Sequence, residues 1–200
     1  MANLCSTKIV FYSNNKTQLH EFNARLQELG SCDLLDVCRH FDLPSDEFEC
    51  RGYVYDIEMP REDYIKSYFY IYQEDKWAPQ IDVWSAVLDA QYDEIYMHYI
   101  AEEPGHGIYI NTDSTGEYFP DRFVVDYCLP NDNIKPGYED CAMEYFSTIN
   151  EMVDYFVYRF NMPTCSSIEE IIQWGEKLIL NCEDIRHPYY FSINEYEGES

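Results

Sequence analysis

An α+β fold is the architecture this sequence predicts, and three observations carry the expectation. Runs rich in Tyr, Val and Ile with strand-like alternation are interspersed with segments of helical periodicity. Apolar residues make up 46% of the chain and aromatics 17%, including 20 Tyr and 11 Phe, so a core can be filled despite the acidity. Acidic chains poor in such residues stay unfolded because they cannot bury the apolar area that offsets chain entropy. The length, 200 residues, suits one domain or one domain with a sizeable extension.

The elements follow in order. Residues 7–13 (TKIVFYS) read as a strand through their β-branched and aromatic content. Leu19, Phe22, Leu26 and Leu29 then fall on one face of a helix over 16–29, and Gly30 stands where a helix commonly ends. A short helix is expected at 32–41 from Leu34, Leu35, Cys38 and Phe41. Strands follow at 52–58 and 66–73; in the latter Tyr68, Tyr70 and Tyr72 face one way, Phe69 and Ile71 the other. Ile81, Trp84, Val87 and Leu88 predict a helix over 80–91, with strands at 94–102 and 107–111 after it. A hairpin around residues 113–116 should lead to a strand near 122–128, and 129–141, with Pro130 and Pro136-Gly137, is the expected long loop. Thr148-x-x-Glu151 and Ser166-x-x-Glu169 have the form of capping boxes. The first opens a helix to about 161 through Met152, Val153, Phe156, Val157 and Phe160; the second opens one using Ile168, Ile171, Ile172, Leu178 and Ile179. A last strand is expected at 189–195.

The order β-α-β-β-α-β over residues 7–102 is the split βαβ arrangement of ferredoxin-like folds. The expected architecture is therefore a ferredoxin-like core over 1–128, an antiparallel sheet with helices on one face, and a mainly helical extension over 129–200 that ends in a strand. The opening Met1-Ala2-Asn3-Leu4-Cys5 resembles the M-[AP]-N-W-C start of the YubB-like ferredoxin-like proteins of phages and plasmids. Lys76-Trp77-Ala78-Pro79-Gln80 and, after a helix, Tyr99-Ile100-Ala101-Glu102-Glu103-Pro104-Gly105 are similar to their A-W-S-P-P and Y-x-E-x-G patterns. The resemblance spans about residues 1–112, with Leu4, Ala78 and Gln80 departing from the pattern. It implies the fold and a mobile-element origin, but no active site and no iron–sulfur cluster.

Charge is the unusual property. The formal net charge is −25, from 38 acids and 13 Lys or Arg, with residues 1–76 at −6 and residues 77–200 at −19. Between Lys76 and Arg122 there is no Lys or Arg, yet nine acids. Surfaces ordinarily interleave both signs. Direct nucleic-acid binding is disfavoured, because phosphates are met by clustered Lys and Arg. No Walker A or GxGxxG motif is present to cradle a nucleotide. No apolar run approaches the ~18 residues of a membrane span, and the N-terminal residues lack a basic leader, so a cytoplasmic protein is expected.

Candidate chemistry is sparse. The cysteines at 5, 32, 38, 50, 128, 141, 165 and 182 are scattered without a CxxC pair, which argues against structural zinc and for buried thiols in a reducing compartment. Asn111-x-Asp113-x-Thr115-Gly116 matches the first half of a calcium loop, but Arg122 stands at the twelfth position where a bidentate Glu is needed. A hairpin turn is the expected role of those residues. Cys38 and His40, two apart on a helix, point away from each other, and neither His98 nor His106 has an evident catalytic partner.

No enzyme activity, cofactor or metal is expected from these residues. The acids themselves are the expected functional feature: spaced carboxylates that imitate nucleic-acid phosphates and so occupy a basic groove. The candidate partner-binding set is Asp82, Asp89, Asp93, Glu94, Glu102, Glu103, Asp113, Glu117, Glu144, Glu151 and Asp154, with Tyr92 and Tyr96 as aromatic anchors. The expected partner is a basic nucleic-acid-binding host protein such as a CRISPR effector, in a bacterial cytoplasm. Two other readings stand beside it: an accessory structural or regulatory phage or plasmid protein whose acidity serves solubility, and a calcium-binding protein or enzyme.

Overall fold

The computed structural model describes residues 3–131, 138–165, 167–181 and 189–198. The fold is α+β, with antiparallel sheets and five α-helices among the described residues. The chain divides into two units, the first formed by 1–114 with 197–200, the second by 115–196. Each has its own core.

In the first unit, β1 (Leu4–Ser13) is followed by α1 (Lys16–Leu29), β2 (Cys32–Asp33), α2 (Leu34–His40), β3 (Gly52–Ile57), β4 (Arg61–Glu62) and β5 (Ser67–Lys76). Then come α3 (Asp82–Gln91), β6 (Tyr96–Glu103), a 3-10 turn (Pro104–His106) and β7 (Ile108–Asn111). The sheet runs β2-β3-β5-β1-β6-β7, with β4 pairing β5. Period-two alternation decides which face is buried: Ser67, Phe69, Ile71, Gln73 and Asp75 point inward, while Tyr68, Tyr70, Tyr72, Glu74 and Lys76 alternate with them. Register places Phe11 opposite Phe69 and Ile9 opposite Ile71, giving the inward face an apolar floor.

The helices cover that face. Phe22 of α1 meets Phe11 edge-on at 5.0 Å between ring centres, and Trp84 of α3 meets the same ring at 5.6 Å. Helix α1 starts where the Asn15 side chain accepts the Gln18 N–H, and it stops at Gly30, whose φ of 62° suits a residue without a side chain. Its burial of Leu19, Phe22 and Leu26 is what the periodicity predicts.

The second unit contains β8 (Phe123–Pro130), β9 (Glu139–Phe146), α4 (Ile149–Phe160), α5 (Ile168–Leu180) and β10 (Tyr190–Glu195), with β8 central in the order β10-β8-β9. Phe156 is the hub of its core, with ring-centre distances of 5.6 Å to Tyr127, 5.8 Å to Trp174 and 5.4 Å to Phe191. Gly175 on α5 lets Phe191 lie against the helix: a Cβ there would come within 2.6 Å of the ring.

Several expectations are corrected. The first domain does not run to 128, because β8 pairs with β9 and β10 and so belongs to the second unit. The extension expected over 129–200 does contain the two helices, but it also holds β9, which with β8 and β10 makes a three-stranded sheet where only a last strand was expected. Residues 113–116 make no hairpin, since the strands on either side of them, β7 and β8, lie in different sheets. The expected loop 129–141 is cut short by β8 and β9 at its two ends; 132–137 lies outside the described residues. The cap of α5 is Ser167, whose Oγ accepts the Glu170 N–H at 3.3 Å, one residue after the Ser166 expected, which itself lies outside the described residues. Cys128 and Cys141 are not free thiols: register sets them opposite each other on β8 and β9, and they form a disulfide. Spacing along the chain carries no information about that register.

Candidate partner-binding surface

The acids of the first unit fall into two groups. Asp82, Asp89, Asp93 and Glu94 are exposed, at the two ends of α3 and in the turn after it. Asp82 opens the helix, where negative charge meets the positive end of the helix dipole. Asp89 lies in the last turn, where the dipole disfavours an acid, and no Lys or Arg of α3 offsets it there. Asp93 and Glu94 follow at once, so negative charge accumulates at the end of the helix that is already negative. Arg25 of α1 reaches this end but bonds neutral groups, Gln91 Oε1 at 2.6 Å, the Tyr92 hydroxyl at 3.0 Å and the His40 carbonyl at 3.1 Å. Glu94 accepts from Asn15 Nδ2 at 2.5 Å. At the other end of the helix, Asp82 borders an open depression that Glu47 and Glu49 also line.

Other candidates serve the fold. Glu103 is buried and its carboxylate accepts from the backbone N–H of His106 and, at 2.7 Å, from His106 Nδ1, which closes the 3-10 turn. Asp113 is fully buried, its N–H donating to Asn111 Oδ1 at 2.9 Å. Tyr92 is not a surface anchor: it is 3% exposed and its ring lies 4.8 Å from that of Phe22. The residue after α3 turns back into the core, which the acidic run around it conceals. Tyr96 is exposed on β6, with its ring 5.7 Å from Tyr12. Glu102 is half-buried on the same strand, opposite Ser6.

The second unit holds the remaining four. Glu151 is exposed but caps α4, its carboxylate accepting from the Ser147 N–H at 2.9 Å, while its own N–H donates to Thr148 Oγ1 at 3.2 Å. Glu144, half-buried, accepts from the Tyr155 hydroxyl at 3.0 Å. Asp154 is exposed on the outer side of α4, and Glu117 is exposed just after the chain enters this unit. The expected set is thus divided between the units, and its densest exposed part is the α3 end.

The residues weighed for catalysis are placed as follows. The Cys38 thiol is buried 3.5 Å from Cys50 Sγ, and burial pushes its pKa up to about 12, so at neutral pH it is a protonated and poor nucleophile. His98 stacks on Tyr12 at 5.3 Å between ring centres and its Nε2 is 3.1 Å from the Tyr12 hydroxyl. Among the described residues no group of three or more His, Cys, Asp or Glu is arranged to hold a metal ion. No described helix is long and apolar enough to cross a membrane.

One exposed residue at the surface was singled out in the sequence only as part of a motif. Trp77, directly after β5, is 54% exposed and has a φ of 79°. Nothing in the local sequence announces either property. No protein-family model matches the chain, and neither a curated protein nor a solved structure does.

Proposed function

We propose that this chain is a non-enzymatic, acidic binding protein of a phage or mobile element that acts as a nucleic-acid mimic. In this reading it blocks a basic DNA- or RNA-binding groove of a host defence protein, in the manner of an anti-CRISPR inhibitor in the bacterial cytoplasm. The observation that carries the proposal is the exposed Asp89, Asp93 and Glu94 at the negative end of α3, with no base on that helix. Such a cluster works against local stability through like-charge repulsion and the helix dipole, and it projects a field that a groove built for phosphates would attract.

The ferredoxin-like reading of the first unit is supported by the order β3-β5-β1-β6, with α1 following β1 and α3 following β5. The mobile-element origin rests on the resemblance of Met1–Cys5 and of the Trp77-to-Gly105 motifs.

The test is capture of bacterial lysate proteins on the immobilised chain at low and high salt. Basic nucleic-acid-binding proteins should be retained at low salt and released as salt rises. Replacing Asp89, Asp93 and Glu94 together by Lys should reduce retention at least about ten-fold, the scale expected when several steering charges are reversed. Retention unchanged by the triple substitution would sink the proposal. It would favour the second reading, an accessory structural or regulatory phage or plasmid protein whose acids serve solubility.

A further inference from the structure

Trp77 combines two features that rarely occur together. The residue is left more than half exposed, whereas Trp84 is fully buried and Trp174 packs in the core of the second unit. Its backbone lies at φ 79°, a left-handed region that is costly for a bulky L-residue and that glycine occupies freely. A residue chosen for stability at this position would be Gly, and one chosen for packing would be buried. Trp77 is neither.

What surrounds it is held in place. The Trp77 N–H donates to the Asn3 carbonyl at 3.3 Å. The Trp77 ring stands 5.7 Å from the ring of His106, inclined at 48°. His106 is itself fixed from behind by the buried Glu103 carboxylate, 2.7 Å from Nδ1. A carboxylate at that distance makes Nδ1 the donor of the neutral ring, which leaves Nε2 as its acceptor, and Asn3 Nδ2 lies 3.1 Å from the same Nδ1. The result is a pair of braced rings, an outward acceptor and an anionic backing, at the start of a stretch, 77–121, without Lys or Arg.

We propose that Trp77 and His106 form the seat for an arginine guanidinium of the basic partner. The inference rests on the acidic-surface reading above and names the contact within it. A guanidinium is planar, weakly hydrated and rich in donors, so it can lie on the Trp77 ring while donating to His106 Nε2. An ammonium gains less from a flat aromatic face, and a nucleobase brings phosphates that a chain of net charge −25 repels. The left-handed backbone turns the indole outward, which accounts for a strained Trp where glycine would be more stable.

The test uses the full chain, a nona-arginine peptide and its nona-lysine counterpart, with affinities read by calorimetry at low and moderate salt. Both peptides should bind in a salt-dependent way, the arginine peptide about three-fold more tightly, the scale of one exposed cation–π contact. Trp77→Gly should abolish that preference, hold the lysine peptide's affinity within about two-fold, and leave the thermal midpoint equal or higher, since glycine relieves the strained φ. His106→Ala, at an exposed ring, should reduce the preference in the same direction. Equal affinities in the unaltered chain, or a preference that survives Trp77→Gly, would overturn the Trp77 seat while leaving the acidic surface standing. Failure of both peptides to bind at low salt would overturn both.

Discussion

Each unit buries a carboxylate, and the two solve the resulting problem differently. In the first, Asp75 is fully buried and no cation among the described residues bonds to it: Thr7 Oγ1 donates at 2.9 Å, Gln73 Nε2 at 2.7 and 2.8 Å, and the Gln80 N–H at 3.1 Å. Gly52 leaves room for it; a Cβ there would come within 2.1 Å of Oδ1. Burial pushes its pKa up, and the hydrogen bonds from Gln73, Gln80 and Thr7 pull the other way. In the second unit Asp140 is paired with a formal charge, Arg159 Nε at 2.7 Å and Nη2 at 2.9 Å, with Asn131 Nδ2 adding a bond at 2.9 Å. The hydrogen bonds from Arg159 hold its carboxyl below the usual range, against a smaller opposing effect of burial. Neutral dipoles organise one site and an ion pair the other, so the two should respond in opposite directions to acid.

The largest expected effect breaks the first arrangement. Asp75→Ala leaves the Thr7, Gln73 and Gln80 donors without their acceptor and should cost about 3–5 kcal/mol, since each stranded buried donor is worth ~1–3. Hydrogen-exchange mass spectrometry should show the loss in peptides of 3–114 and not in those of 115–196. Arg159→Met should cost the second unit about 2 kcal/mol at neutral pH, less than a wholly buried pair because the Arg159 side chain is 40% exposed. That penalty should shrink below pH 3.8, the ordinary carboxyl value, as Asp140 takes a proton and no longer needs the cation.

The smallest effect is the pH slope of the first unit. Asp75 binds its proton more readily folded than unfolded, so its contribution rises as pH falls through the raised folded pKa toward 3.8. For Asp140 the sign is reversed: stability is present above 3.8 and is lost as pH falls through the lowered folded value. Urea midpoints of Asp75→Asn should therefore lack a stabilisation on acidification that the parent shows, at most about 1.4 kcal/mol per pH unit for one proton. If the parent and the Asn variant have the same slope between neutral pH and 4, the dipole-organised account of Asp75 is wrong.

Elements with an apolar stripe and punctuation in the chain were legible. Helix α1 spans the same residues its Leu19, Phe22, Leu26 and Gly30 predict, and the alternation of Phe69 and Ile71 against the Tyr series is the observed burial of β5. Strand β9 was not legible, because its buried positions include Asp140 beside Phe146, with Glu144 half-buried between them. Those acids are tolerable only because Arg159 and Tyr155 meet them, from a helix that comes later in the chain. Periodicity looks for apolar residues on the inner face and here finds charge. The candidate surface shows the same limit. Exposure of the acids at the end of α3 could be inferred, but the inward turn of Tyr92, the burial of Glu103 beneath His106 and the left-handed φ of Trp77 depend on backbone direction that composition does not encode.

The chain leaves the first unit after Ser114 and is back in it at Glu197, whose carbonyl accepts the Asn111 N–H at 2.9 Å and whose N–H donates to the Tyr109 carbonyl at 2.8 Å. The parallel bridge between Ile110 and Glu197 brings the two crossings to one place on β7. The 115–196 unit is therefore a cassette in the topological sense, spliced into a host to which the chain returns by a single bridge on β7. A gene in which that cassette is exchanged for a turn of a few residues should still encode the first unit with its Trp77 and α3 surface. The same point on β7 is where a foreign domain could be grafted without disturbing either.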